Sequence, residues 1–82
     1  MRMYVHAAGA GKTIQVVDRV AGADAFNGWV GPDATIAVDV QSPDGQTGNI
    51  DINARMTAAN PWFAIQADYD VRADETIDVG DI

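Results

Sequence analysis

The chain has 82 residues, with twelve acidic and five basic side chains and a formal net charge of −7. This length allows one small domain. The acidity argues against sequence-independent nucleic-acid binding, which requires Lys and Arg to neutralise phosphates, and against adhesion to anionic membranes. Because hydrophobic residues make up 48% of the chain, a disordered acidic tail is excluded as well. We therefore expect one folded domain over residues 1–82, with neither a nucleic-acid nor a membrane partner.

Apolar and polar residues alternate with period two along most of the chain, which is typical of half-buried β-strands. In chain order the alternating segments are residues 2–7, 13–20, 34–41, 49–57 and 62–71, with a last short strand at residues 76–79. Such regular spacing of short strands favours an all-β fold. The prediction is a small antiparallel β-sandwich or partly closed barrel of five to six strands.

The connections between these segments lead to three further predictions. The glycine-rich stretch after the first strand makes residues 1–12 a candidate N-terminal arm that adds a strand to a neighbouring subunit. Residues 21–33, with three glycines and two aromatic residues, are expected to form a loop with one helical turn at residues 23–26. Ser42-Pro43-Asp44-Gly45 is typical of a type I turn, and it predicts a hairpin over residues 34–57.

Motifs that carry chemistry are weak in this sequence. Gly9-Ala10-Gly11-Lys12-Thr13 resembles the end of a phosphate-binding loop, but that motif requires glycine at position 6, which is His6 here. The residues after Thr13 also alternate like a strand, where the motif requires a helix. The segment is therefore expected to be a hairpin loop with a solvated Lys12. Since the chain has no cysteine, thiolate metal sites and disulfides are excluded.

Acidic residues crowd the last seventeen positions of the chain, where Asp68 and Asp70 share one strand face. We interpret them as a solvated face, and the alternatives are a weak divalent-cation site or a glycosidase-like carboxylate pair. His6 is the only histidine and Ser42, within a turn, the only serine, so no nucleophile–base arrangement is indicated. The sequence predicts a protein that is not an enzyme and has no cofactor and no metal.

The two tryptophans are the strongest candidates for a binding role, because Trp and Tyr dominate the energetics of binding surfaces. Trp29 and Trp62 either cap the two ends of the sandwich or contact a partner. Exposed rings beside Asp and Asn also suit stacking on sugars. The predicted partner-binding residues are Arg2, Tyr4, Lys12, Phe26, Trp29 and Trp62.

Charge is distributed unevenly along the chain. Residues 1–23 hold three bases against one acid (+2), whereas residues 66–82 hold six acids against one base (−5). This polarity predicts that identical copies meet head to tail, or that a basic arm seeks an acidic host surface.

A small, cysteine-free, all-β chain without catalytic residues resembles the capsid decoration (cement) proteins of tailed phages in size and style. This resemblance implies a non-enzymatic structural or interaction protein, located in the virion, or in the cytoplasm before assembly. Its partners would be capsid or other assembly subunits, and it would form a homo-oligomer. The first alternative is a carbohydrate-binding or adhesion module that uses the exposed tryptophans. The second is an acidic inhibitor or nucleic-acid mimic.

Overall fold

A computed structural model describes residues 1–80. They form seven strands, which we label β1 to β7. The strands are β1 (Arg2–His6), β2 (Lys12–Asp18), β3 (Ala23–Val30), β4 (Thr35–Asp39), β5 (Thr47–Arg55), β6 (Phe63–Arg72) and β7 (Thr76–Asp78). No stretch of the described residues forms a helix that could cross a membrane.

The strands form two sheets, with the order β4-β1-β7 in one and β3-β2-β5-β6 in the other. The prediction of an all-β, sandwich-like fold is confirmed. The predicted number of strands is too low, and the alternative of a partly closed barrel is wrong, since the two sheets do not join into a closed ring. The core lies between the sheets, and its largest apolar side chains are Met, Ile and Val.

The four-stranded sheet is antiparallel throughout, and the alternation in β2 and β5 assigns their side chains to two faces. On β2 the buried positions are Lys12, Ile14, Val16 and Asp18, and the residues between them lie on the outer face. On β5 the buried positions are Gly48, Ile50, Ile52 and Ala54. The period-two pattern therefore predicts which face each residue occupies, and it holds even for the two charged residues at the ends of β2.

The three-stranded sheet has β1 at its centre, antiparallel to β4 and parallel to β7. Met3, Val5 and Ala7 are completely buried. The segment 1–12, predicted as a candidate arm, thus contains the strand that holds this sheet together. An arm that orders only on binding would leave β4 and β7 without their neighbour.

The prediction of a loop at residues 21–33 is wrong for most of that segment. Ala23–Val30 forms β3, which pairs with β2 and makes one edge of the four-stranded sheet. A register shift between Val16 and Val17 accommodates an extra residue in β3, as in a β-bulge. The pairing with β2 outweighs the low strand propensity of the glycine, alanine and asparagine residues, because strand formation depends strongly on its neighbours.

The predicted hairpin over residues 34–57 is also wrong, since β4 and β5 belong to different sheets. The turn chemistry between them is nevertheless present. The Gly45 N–H donates to the Ser42 carbonyl at 3.3 Å, and the Asp44 carboxylate accepts from the N–H groups of Gln46 and Thr47, each at 2.8 Å. Turn residues determine a local change of direction, but they do not determine which strand becomes the partner.

The Asp44 turn leads to a prediction about acid stability. The hydrogen bond from the Ser42 hydroxyl, followed by those from the Gln46 and Thr47 N–H groups, lowers the pKa of Asp44 from 3.8 to about 2. A carboxyl group whose pKa is depressed in the folded state stabilises that state above the unfolded pKa, and this contribution disappears as the pH falls through the folded pKa. We expect Asp44→Ala to lower the urea midpoint at neutral pH. The difference from the wild type should shrink steadily between pH 4 and pH 2, and an equal difference at both pH values would contradict this assignment.

Candidate binding surface

The six residues predicted to bind a partner do not share one site. Arg2 and Tyr4 lie on the outer face of the three-stranded sheet, because Met3 and Val5 on the same strand point into the core. Phe26 is half-buried on β3 and packs against the core. The remaining three positions, Lys12, Trp29 and Trp62, lie at one end of the four-stranded sheet.

Two cations in the first 23 residues are paired with acids of the same chain. Arg2 Nε lies 3.1 Å from an oxygen of Asp39, and Arg19 lies 3.2 Å from Asp51 and 3.6 Å from Asp68. Both arginines are exposed, but each already has an acidic partner within the chain. Head-to-tail attraction between copies would therefore have to compete with these internal ion pairs.

Lys12 is completely buried, so the expectation of a solvated side chain is wrong. Its ammonium group donates to the carbonyl oxygens of Ala8 at 3.0 Å and Ala10 at 2.8 Å. These carbonyls belong to the glycine-rich connection between β1 and β2, which wraps around the Lys12 head group. Loop carbonyls thus replace water around the charge, as burial of an ammonium requires. Lys12 therefore stabilises the conformation of this loop and is not available to contact a partner.

Trp29 lies on the outer face of β3, opposite Thr13 of β2. Its side chain is 59% exposed, although its six-membered ring rests on the backbone at Gly11. A Cβ atom at Gly11 would lie 2.5 Å from Trp29 Cζ2 and 2.8 Å from the Val30 carbonyl oxygen. The missing side chain at Gly11 therefore makes room for the indole, which has backbone behind it and solvent beside it.

Trp62 carries a stacked cation. The Arg55 guanidinium carbon lies 3.9 Å from the centroid of the Trp62 ring, a cation–π contact. Arg55 lies opposite Thr13 on the outer face, so Thr13 separates it from Trp29. Arg55 forms no ion pair with residues 1–80, and its Nε is buried without a hydrogen-bond partner there.

Two more apolar side chains are exposed at the same end of the four-stranded sheet. Phe63, opposite Ala54 at the start of β6, is 58% exposed, and Met56, just after β5, is 38% exposed. The sequence pattern places both residues with the core set. Phe63 does share the inner face with its partner Ala54, but neither residue is buried, because both lie at the end of the sheet and β6 is an edge strand. We refer to Trp29, Met56, Trp62 and Phe63 together as the aromatic end.

A row of polar side chains lies next to the aromatic end on the outer face. The Gln15 amide nitrogen donates to both oxygens of Asp24 at 3.2 and 3.3 Å. Asn53 donates to the Gln15 carbonyl oxygen at 3.1 Å, and Asn27 donates to Asp24 at 3.2 Å. These bonds cross three strands and fix the orientation of the amide groups.

A second polar group lies farther along the same face. Asp51 accepts from the backbone N–H of Asp68 at 2.8 Å, and Asp68 has a positive φ of 51°. This bond, together with the contact to Arg19, lowers the pKa of Asp51. The arrangement accompanies the register shifts between β5 and β6. It is a structural use of two acids that the sequence pattern assigns to a solvated face.

Other candidate sites are less developed. Among residues 1–80 no group of three or more His, Asp and Glu side chains is placed to hold a metal ion. His6 Nδ1 lies 2.9 Å from Asp78, which joins β1 to β7. An open depression of about 470 Å³ is lined by Gln46, Thr47, Asp70, Arg72 and Ala73.

No family model, no curated protein and no solved structure matches this chain.

Proposed function

We propose that this protein is a non-enzymatic interaction protein of a multi-subunit assembly, which docks through the aromatic end. The observation that supports this proposal is the exposure of large apolar side chains at one end of one sheet. Single exposed apolar residues are ordinary on protein surfaces, whereas a group of them rimmed by polar residues is typical of an interaction site.

The composition of the aromatic end agrees with this role. Trp, Phe, Met and Arg are enriched at the centres of protein interfaces, and the aromatic residues supply most of the binding energy there. Trp29 is supported from behind by the Gly11 backbone, and Trp62 is held by Arg55. Side chains that are already fixed lose less conformational entropy when a partner binds.

The size of the domain supports the same conclusion. A chain of 82 residues buries a modest fraction of its surface, and it contains no disulfide to compensate. Covering the aromatic end with another subunit would add buried apolar area. A virion accessory protein, such as a capsid decoration protein, is the assembly subunit that we propose from the sequence resemblance.

Sedimentation of the native protein tests this proposal. We expect the wild-type chain, recovered from the cells or particles that contain it, to travel with a large particle through a sucrose cushion. Trp29→Ala and Phe63→Ala should release it to the soluble fraction, each by about tenfold or more, which is the effect typical of a buried aromatic anchor.

The matched control is Val20→Ala. Val20 is also exposed, at 47%, but it lies just beyond the opposite end of β2. This variant should sediment like the wild type. Sedimentation of the wild type as a free monomer at every concentration, or equal behaviour of all four chains, would contradict the proposal.

A further inference from the structure

The outer face of the four-stranded sheet also has the features of a site for a small ligand, and this site shares only Trp29 directly with the aromatic end. It consists of the Trp29 ring, Thr13 and the Arg55 guanidinium in one row, with Asn27, Gln15 and Asn53 in the next. We infer that this surface binds a short acidic saccharide, with the sugar ring on Trp29 and a uronate carboxylate on Arg55.

Trp29 provides the stacking surface. A sugar ring presents a face of C–H groups to an aromatic ring, and an exposed indole suits this contact because one side is apolar and flat. The 59% exposure of Trp29 gives the ligand access to the ring. The contact with the Gly11 backbone holds the ring in place, so that the ligand does not have to order a freely rotating side chain. Trp62 offers less surface, because it is half-buried and Arg55 covers one side of its ring.

Arg55 provides the charge. Its guanidinium is held by stacking on Trp62, at 3.9 Å from the ring centroid, and it has no carboxylate partner among residues 1–80. The acids on the neighbouring row and beyond are already bonded to Gln15, Asn27 or Arg19. A planar guanidinium with free N–H groups recognises a carboxylate through two parallel hydrogen bonds.

The spacing between these two groups suits a short ligand. Trp29 and Arg55 belong to strands on either side of β2, so their backbones are about 10 Å apart. Thr13 lies between them with a small side chain. A ligand that reaches from the Trp29 ring to Arg55 therefore passes over Thr13 without a large obstruction.

The polar row favours a ligand rich in hydroxyl groups. The hydrogen bonds within the row use the amide donors of Asn27 and Asn53. Their side-chain oxygens remain acceptors for ligand hydroxyls within the part of the chain that the structure describes. A saccharide offers several hydroxyl donors per ring to these acceptors, and a long polyanion would be repelled by Asp24 and by the net charge of −7.

The probe for the test is a trimer of galacturonic acid, with the trimer of galactose as its neutral match. Calorimetry and the NMR shift of the Trp29 indole N–H report binding to the full chain. We expect the acidic trimer to bind at least about tenfold more tightly than the neutral one, which is the effect of one charge-assisted hydrogen-bonded pair. Arg55→Gln should abolish this preference, and Trp29→Ala should abolish binding of both trimers.

Two variants separate this site from the docking of subunits. Phe63→Ala removes an aromatic ring of the aromatic end without touching the proposed saccharide site, so it should bind the acidic trimer like the wild type. Thr13→Phe should lose the trimer while the chain stays folded by circular dichroism, because a large ring on this strand position blocks the path between Trp29 and Arg55 and leaves the four residues of the aromatic end unchanged.

Three results would overturn the inference. They are the absence of binding at millimolar trimer, an equal affinity of wild type and Arg55→Gln for the acidic trimer, and tighter binding of a glutamate tripeptide than of the uronate trimer. Since all of these measurements use the isolated chain, a failure here leaves the sedimentation result unaffected, and the reverse also holds.

Discussion

Replacement of Asp18 by alanine is expected to lower the free energy of unfolding by about 4 kcal/mol, because a buried carboxylate that accepts three backbone N–H groups would be lost. Asp18 is 3% exposed at the end of β2. One oxygen accepts from the N–H groups of Val20 and Ala21, each at 3.0 Å, and the other accepts from Gln41 at 2.7 Å. The three donors would remain in place without an acceptor.

The position of Gln41 explains why this effect should be large. Gln41 follows β4, a strand of the three-stranded sheet, whereas Asp18 ends β2 of the four-stranded sheet. The carboxylate therefore joins the two sheets and also closes the turn after β2. Small domains have total stabilities of about 5–15 kcal/mol, so the variant would retain only a fraction of its folded-state stability.

Urea denaturation followed by fluorescence measures this change. Asp18→Asn keeps one acceptor oxygen but turns an amide N–H₂ group toward one of the backbone donors, so its midpoint should lie between those of Asp18→Ala and the wild type. Asp24→Ala is the control, since Asp24 is exposed on the outer face, and it should change the free energy of unfolding by less than about 1 kcal/mol. An Asp18→Ala midpoint within error of the wild type would refute the role of Asp18.

Asp18 also shows where sequence reasoning succeeds and where it stops. Its position on the inner face follows from the alternation along β2, as does that of Lys12 at the other end. The alternation does not reveal why a charge is tolerated there. Asp18 is satisfied by backbone N–H groups and Lys12 by carbonyl oxygens, and these groups come from loops whose paths depend on the whole fold.

Strand pairing was the least predictable part of the fold. The turn at Ser42–Gly45 is visible in the sequence, but the sheet to which β5 belongs is determined by its pairing with β2 and β6. The strand β3 could not be predicted from propensity, because it contains residues that are rare in strands and takes its conformation from β2. Long-range pairing leaves no local signature in a single sequence.

The binding surface was predictable in part. The outward direction of Trp62 agrees with the sequence pattern, whereas the position of Trp29 on a strand and the contact between Trp62 and Arg55 were missed. A signal for it exists, because both residues lie on the outer face at the two ends of the β5–β6 connection. The strand register brings Thr13 between Arg55 and Trp29, and that register is not visible without the structure.

Deletion of residues 1–7 is expected to leave the chain unfolded at room temperature. β1 provides Met3 and Val5, both completely buried, and burial of each such side chain contributes about 1.5–3 kcal/mol. The deletion also removes the backbone ladders to β4 and β7, neither of which pairs with any other strand among the described residues. The combined loss is comparable to the entire stability of a small domain.

Circular dichroism and the dispersion of amide NMR signals measure the outcome. A point variant, Val5→Asp, should also unfold the chain because it places a charge in the core, and Arg2→Gln, an exposed change on the same strand, should leave the chain folded. A detachable arm behaves differently: its deletion leaves a cooperatively folded domain that has lost only its partner. Cooperative unfolding of the truncated chain would therefore support the interpretation of residues 1–12 as an arm. A truncated chain without a cooperative unfolding transition would establish β1 as the strand on which the three-stranded sheet depends.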